Sequence, residues 1–304
     1  MKRWSATAPA STSNLGPGFD CLGLALRIPL TVVATRIPEG FRIERRGEGK
    51  DLALDPNKDT ILSAYRRLFR VARKPVPTVA LSIRSAIPVA RGLGSSAAAI
   101  VAGLTLGNHW LRGRFSKEEL LAMAVDLEGH PDNVSASLLG GLTLSFPRAN
   151  GAVTALPVPP PRGVSATLVV PEIRVSTEKA RALLPRVVPL VDAAANTARA
   201  MTLLYAFANK RADLLADALD DVYHVPHRAR LIPAYARVVE AGRRAGAHGV
   251  TISGSGPTLL AFHPPGKGAA VGAAMVRAFA RARVRSRAIP GRIEPRGASA
   301  RTLR

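Results

Sequence analysis

Pro88-Val-Ala-Arg-Gly-Leu-Gly-Ser-Ser-Ala-Ala-Ala99 is the stretch on which the reading of this chain turns. It joins a β-branched run, Thr78 to Ile87, to an apolar segment of helical length, Ser95 to Leu111. Glycine lets a backbone approach a ligand closely and take up dihedrals closed to other residues. Ser95 and Ser96 open the helix, whose free N–H groups and positive dipole end favour an anion. A polyphosphate is the natural occupant, so the loop points to a nucleotide. On the residues alone two other readings stay open. Gly92-Leu-Gly94-Ser-Ser-Ala97 fits the G-x-G-x-x-A dinucleotide fingerprint, although the region about twenty residues on, Arg112-Gly-Arg-Phe-Ser-Lys117, has no acid for a ribose. A purely structural turn is the third, and the standard loop G-x-x-x-x-G-K-[ST] is absent.

The chain of 304 residues is long enough for a sizeable core and for two domains. Its 47% hydrophobic and 21% charged content is that of a globular protein. No apolar run reaches membrane-spanning length, and Met1-Lys-Arg-Trp-Ser5 is not followed by a signal-peptide core. A single cysteine, Cys21, excludes an internal disulfide framework and a cysteine metal cluster; a cytoplasmic protein is expected. The net charge of +22 invites a nucleic-acid reading. Two features weaken it: lysine supplies only 8 of the 43 basic residues, and the arginines are scattered along the chain. Arginine and alanine excess with no glutamine looks like compositional bias. Arg277 to Arg304, with Glu294 its only acid, reads as a basic tail.

Outward from the loop, Leu24 to Arg36 and Gly40 to Arg45 are expected strands joined by a Pro38-Glu-Gly40 turn. Thr60 to Arg73 carries helical spacing in Ile61, Leu62, Tyr65, Leu68 and Phe69. Ser116-Lys-Glu-Glu119 is a capping box that opens a helix to about Leu127. Gly140 to Phe146 reads as a strand. Pro157-Val-Pro-Pro-Pro161 is the strongest break and divides residues 1–160 from 161–304. Beyond it come a strand (Ser165 to Val170), helices at Thr177 to Leu184, Asp192 to Ala208 and Asp213 to Leu219, and another at Pro233 to Gly246. Strands Gly249 to Ile252 and Thr258 to Phe262 precede a helix from Ala269 to Ala282. The alternation predicts an α+β protein with two domains.

Three further constellations join the loop: Ser11-Thr-Ser-Asn-Leu-Gly-Pro-Gly-Phe-Asp-Cys-Leu-Gly23, Glu128-Gly-His-Pro-Asp-Asn-Val134 and Thr251-Ile-Ser-Gly-Ser-Gly-Pro-Thr258. Each alone is compatible with turn chemistry. Together and in this order, from about Ala8 to Phe262, they resemble the GHMP small-molecule kinases. The resemblance implies an N-terminal domain like the second domain of ribosomal protein S5, with a left-handed βαβ unit. It also implies a ferredoxin-like C-terminal domain, an active site between the two, and ATP with Mg²⁺. Dimers occur in the family, so a homodimer is a further expectation; no nucleic-acid or membrane partner is expected.

The resemblance is closest to members acting on L-homoserine, making O-phospho-L-homoserine on the way to threonine. It assigns Pro88, Val89, Ala90, Arg91, Gly92, Leu93, Gly94, Ser95, Ser96, Ala97 and Ala98 to the nucleotide. Homoserine carries an ammonium, a carboxylate and a primary hydroxyl, so its site needs an anion, cations and positioning groups. Asn14, Asp20, His130, Thr177 and Gly254 match substrate-binding positions, with Asp20 set against the ammonium. Arg181 and Arg228 match the arginines that grip the carboxylate, a planar bidentate contact that lysine cannot imitate. Ser96 and Glu128 are the expected Mg²⁺ ligands, with Asp126 the alternative carboxylate. Ser96, Glu128 and Arg181 are the expected catalytic groups. No strong base is implied, because a loose phosphoryl-transfer transition state leaves the hydroxyl acidic only late. Where other members carry Asn-Leu ahead of the helix near the adenine, this chain reads Asn57-Lys-Asp-Thr-Ile-Leu62. The adenine contacts are therefore unassigned. Competing readings are a kinase for mevalonate or a sugar and, from another class, a basic nucleic-acid-binding protein.

Overall fold

The computed structural model describes residues 3–52 and 55–303, so Met1, Lys2, Ala53, Leu54 and Arg304 lie outside the described residues. The first half is built on a sheet of β1 (Arg3–Ser13), β2 (Leu22–Arg36), β3 (Phe41–Gly47), β4 (Val79–Ser85), β5 (Leu142–Pro147) and β6 (Val153–Val158). β2 pairs with β1, β4 and β5 antiparallel, while β3 and β4 run parallel. Parallel neighbours need a crossover. Here it contains α1 (Thr60–Val71), whose Ile61, Leu62, Tyr65, Leu68 and Phe69 are buried as the helical spacing requires. α2 (Ser95–Trp110), α3 (Lys117–Glu128) and α4 (Pro131–Leu139) follow. The capping box at Ser116 is formed in both directions.

The second half carries β7 (Ser165–Pro171), α5 (Thr177–Ala182), α6 (Leu190–Asn209), α7 (Leu215–Ala218), α8 (Val225–Arg228) and α9 (Tyr235–Arg244). It closes with β8 (Gly249–Ile252), β9 (Leu259–His263), α10 (Gly268–Arg281) and β10 (Ser286–Pro290). The order β10-β7-β9-β8, antiparallel throughout, is that of a β-α-β-β-α-β ferredoxin-like sheet. Side chains alternate across a strand, and the two faces serve different cores. Leu168, Val170, Leu260 and Phe262 join the main core with Leu203 and Phe207 of α6, which is continuous with the core of the first half. Val169, Leu259 and Ala261 pack with Val238, Val271, Met275 and Phe279 of α9 and α10.

Two expectations are corrected. The final stretch is not a basic tail: it forms the end of α10, then β10, then β11 (Ser299–Leu303), which pairs antiparallel with β1. β6 pairs through Pro157 with Thr143 and stops at Val158, just before the 160/161 division, but the end of 161–304 does not stay apart from the first sheet. The chain also crosses the 160/161 division twice. Residues 292–298 run back along the first sheet, with Arg27 N–H donating to Arg292 O and Ala298 N–H to Ser137 O. β1, β6, α4, α8, β10 and β11 were not expected from the sequence. For α4 the signal existed, since Pro131 occupies the first helical turn, where its missing N–H costs nothing.

Candidate active site

A cleft of about 340 Å³ lies where the glycine loop, the first constellation, the start of α4 and the second half converge. At its centre α2 starts from Gly94, in the left-handed region at φ 64°, with no side chain capping the helix. The N–H groups of the first helical turn have no helical carbonyl to pair with, so they are free to meet an anion. A Cβ on Gly94 would lie 2.2 Å from Ser11 Oγ, and one on Gly92 2.2 Å from Ser253 O. Only glycine permits this packing. The loop is pinned by Ser11 N–H donating to Leu93 O (3.2 Å) and Thr258 N–H to Arg91 O (3.3 Å). The Ser253 hydroxyl adds a bond to Gly92 O (2.6 Å). Two constellations far apart in sequence thus hold one loop.

Ser96 Oγ donates to Glu128 Oε2 at 2.8 Å. Burial pushes the Glu128 carboxyl above its ordinary pKa, against the lowering effect of the Ser96 bond. Asp126, the alternative carboxylate, faces away: it is absent from the cleft and sits 3.6 Å from Arg67. His130 Nδ1 bonds Asp132 Oδ1 at 2.8 Å, and its Nε2 lies 3.8 Å from Glu128 Oε1. Burial works against protonating His130, but the Asp132 bond and the charges of Asp132, Glu128 and Asp20 outweigh it and raise its pKa.

On the opposite wall Arg181 makes a two-pronged pair with Asp20, Nη1 to Oδ2 and Nη2 to Oδ1, both 2.9 Å. That bond, offset in part by burial, raises the Arg181 pKa. Arg228 is 2% exposed and lines the same cleft. Its Nη1 donates to Gly254 O (3.0 Å), while its buried Nε has no partner. Burial, with Arg181 beside it, lowers its pKa to about 10. Both guanidinium groups stand over the Phe19 ring, at 5.5 and 5.3 Å.

Of the residues singled out from the sequence, Asn14, Asp20, His130, Thr177, Arg181, Arg228, Gly254, Ser96, Glu128 and Val89 to Ser96 all line this cleft. Pro88, Ala97 and Ala98 do not; the two alanines are fully buried beneath the loop and offer it only backbone. Three expectations change in detail. Asp20 and Arg181, assigned to opposite ends of a substrate, are bonded to each other. Asn14 is spent on the protein: its amide donates to Gly254 O (3.0 Å) and accepts from Asp20 N–H (3.0 Å). Gly254 offers its carbonyl to Asn14 and Arg228. Asn14 and Gly254 therefore place the charged residues. Thr177 Oγ1 is 3.3 Å from Ser255 Oγ.

Sequence reasoning missed several supporting residues. Asn133 donates to Ser13 Oγ (2.8 Å) and accepts from Ser11 Oγ (2.9 Å), tying β1 to α4. Asp221 accepts the N–H groups of His224 and Val225, both at 2.7 Å, and so starts the short helix that carries Arg228. Arg45 lines the far end of the cleft, paired with the buried Asp59. Asn133 was visible inside a quoted constellation. Asp221 and Arg45 carried no local pattern.

The GHMP kinases N terminal domain model matches residues 59–141, and the GHMP kinases C terminal model matches 203–281. The chain belongs to the GHMP kinases. Among curated relatives of this GHMP kinase is a homoserine kinase of Carboxydothermus hydrogenoformans, 40% identical over 95% of this chain and 94% of its own length. One from Synechococcus sp. (strain CC9605) is 42% identical over 92% and 90%. Among solved structures, homoserine kinase from Cytophaga hutchinsonii superposes with a TM-score of 0.88 at 28% identity, covering 98% of this chain and 97% of that one.

Proposed function

We infer that this GHMP kinase is a homoserine kinase: it transfers the γ-phosphoryl group of ATP to the hydroxyl of L-homoserine, giving O-phospho-L-homoserine and ADP. The observation that carries this is the 40% identity to a homoserine kinase over nearly the whole of both chains. The threonine pathway follows from the product.

The site supports the reading in its chemistry. Phosphoryl transfer is catalysed mainly by positioning and charge stabilisation. The backbone N–H groups at the start of α2 hold the nucleotide phosphates. Ser96 Oγ and the Glu128 carboxylate, 2.8 Å apart at that helix start, are a pair of hard oxygen donors that fits Mg²⁺. An ion held by these two oxygens would complete its shell with phosphate and water oxygens. When bound, Mg²⁺ neutralises charge on the phosphates.

At the other wall a zwitterionic amino acid meets both partners it needs. Its ammonium takes Asp20 and its carboxylate takes Arg181, so that the protein's own ion pair is exchanged for two with the substrate. Arg228, with a buried donor left over, is the second carboxylate contact. The hydroxyl is then aimed towards the glycine loop. With the substrate in place Asp20 is committed to its ammonium, which supports a binding role for this carboxylate and not proton abstraction. A coupled ADP-release assay across homoserine, mevalonate, galactose and shikimate tests the reading. Turnover on homoserine alone is expected; faster turnover on any of the others overturns it.

A further inference from the structure

Arginines that lie scattered along the chain are partly gathered by the fold. The strands β11, β1, β2, β4 and β3 stand side by side in that order. Side chains alternate across a strand, and one face of this sheet sends Trp4, Val32, Leu81 and Ile83 into the main core with Ile61 of α1 and Ile100 of α2. The register fixes what stands on the other face. Leu303, Arg3, Thr35, Ala80 and Arg42 form one row across it, from β11 to β3. Arg301, Ser5, Val33, Ser82 and Glu44 form the next. Ser299, Thr7, Thr31, Arg84 and Arg46 form the third. The five arginines of these rows are all exposed. At ~4.8 Å between strands and ~3.3 Å per residue, the rows cover roughly 19 by 13 Å.

We propose that this open sheet face docks the phosphate backbone of double-stranded nucleic acid, without regard to base sequence. Charge complementarity selects the sign of the partner. Among the described residues of the face Glu44 is the one acid, and it is bound to Arg46 at 2.6 Å. Arg3, Arg42, Arg84 and Arg301 have no acidic partner among the described residues. Arg84 stands directly opposite Arg46 in the register. Like charges so placed cost stability in the free protein, and an anion between them removes that cost. The hydroxyls select the chemistry. Thr7 Oγ1 and Thr31 Oγ1, 3.3 Å apart, lie between the arginines with Ser5, Thr35 and Ser82. Arginine with serine and threonine is the donor set that meets phosphate and sugar oxygens. The face carries no aromatic ring on which an unpaired base could stack, which favours a duplex over a single strand. Val33, Ala80 and Leu303 offer too little apolar surface to hold a membrane. None of the four unpaired arginines lines the catalytic cleft, so docking and turnover are separable.

Each phosphate neutralised releases counterions, so log affinity falls with log salt concentration by about 0.9 per contact. Four free arginines give a slope of about −3.6, a loss of roughly 150-fold between about 50 and 200 mM salt. Fluorescence anisotropy of the full chain with a labelled ~20-base-pair DNA duplex measures this slope. The triple variant Arg42→Gln, Arg84→Gln, Arg301→Gln should make the slope shallower by about 2.7, with kcat and both KM values unchanged. A second triple variant, Arg243→Gln, Arg277→Gln, Arg281→Gln, removes the same charge from exposed positions of α9 and α10. It should leave the slope nearly intact. Equal effects of the two variants would make binding a matter of net charge alone and overturn the proposal. Absence of binding at the lowest salt overturns it too, as does tighter binding to phosphatidylserine vesicles than to the duplex.

Discussion

At the scale of single residues the site is a set of charges whose partners change when ligands arrive. Ser96→Ala removes one oxygen where metal and phosphate meet. Turnover should fall by about 10²–10³-fold, as when one transition-state donor is lost, with a smaller change in the KM for homoserine. Unchanged turnover in a folded variant would take Ser96 out of the mechanism. Glu128→Gln should raise the Mg²⁺ requirement, because a neutral amide is a poor ligand for a hard cation; Asp126→Asn, on a carboxylate turned towards Arg67, should not. The raised pKa of Glu128 adds a pH signature. Its proton competes with the metal, so the apparent Mg²⁺ affinity should weaken as pH falls, starting above the ordinary carboxylate range. Glu128→Gln should flatten that dependence, and Mg²⁺ titrations at several pH values read it directly. Arg228 is tested with 3-aminopropanol, which is homoserine without its carboxylate. Wild type should prefer homoserine strongly. Arg228→Ala should erase most of that preference by losing at least ~10-fold on homoserine alone, a change of ~1.4 kcal/mol. Equal losses on both substrates would mark Arg228 as a support of the fold.

At the scale of elements the buried pair of Arg45 in β3 and Asp59 ahead of α1 does two jobs. One Asp59 oxygen caps the helix by accepting Leu62 N–H at 2.8 Å, and the other pairs with Arg45. The Asp59 side chain is fully buried and that of Arg45 is 13% exposed. Truncation leaves both a helix end and a buried cation unmatched. Asp59→Ala should therefore cost roughly 3–5 kcal/mol in chemical denaturation, and Asp59→Asn, which keeps a capping oxygen, should cost less. A loss under about 1 kcal/mol for alanine would mean that water replaces the carboxylate. This pair also shows what the sequence conceals. Periodicity exposed α1, and glycine spacing exposed the loop and the start of α2, because both signals are local in the chain. Arg45 and Asp59 lie fourteen positions apart with no spacing rule to join them. The partnership of Asp20 with Arg181 spans |i−j| = 161 and was equally invisible. The residues of the candidate site were legible from their constellations, whereas their bonding to one another depended on the folded arrangement.

At the scale of the whole molecule the two halves are joined by more than the cleft. β11 completes the edge of the first sheet beside β1, and His109 Nε2 lies 3.1 Å from Thr302 Oγ1. The basic composition of this stretch hid a strand, since arginine at exposed positions of an edge is tolerated while alternate residues pack. Deleting residues 299–304 should lower Tm by at least ~6 °C, on the scale of a few kcal/mol for a chain of this size, and should expose the β1 edge to aggregation. Calorimetry and light scattering measure both, and an unchanged Tm would show the strand to be dispensable. In the register of that last pair Arg3 faces Leu303, so the first and last described residues are neighbours across one sheet edge. A gene rewritten to join Leu303 to Arg3 through a short linker and to open at the exposed Pro159-Pro160 pair would encode the same fold from a different starting point.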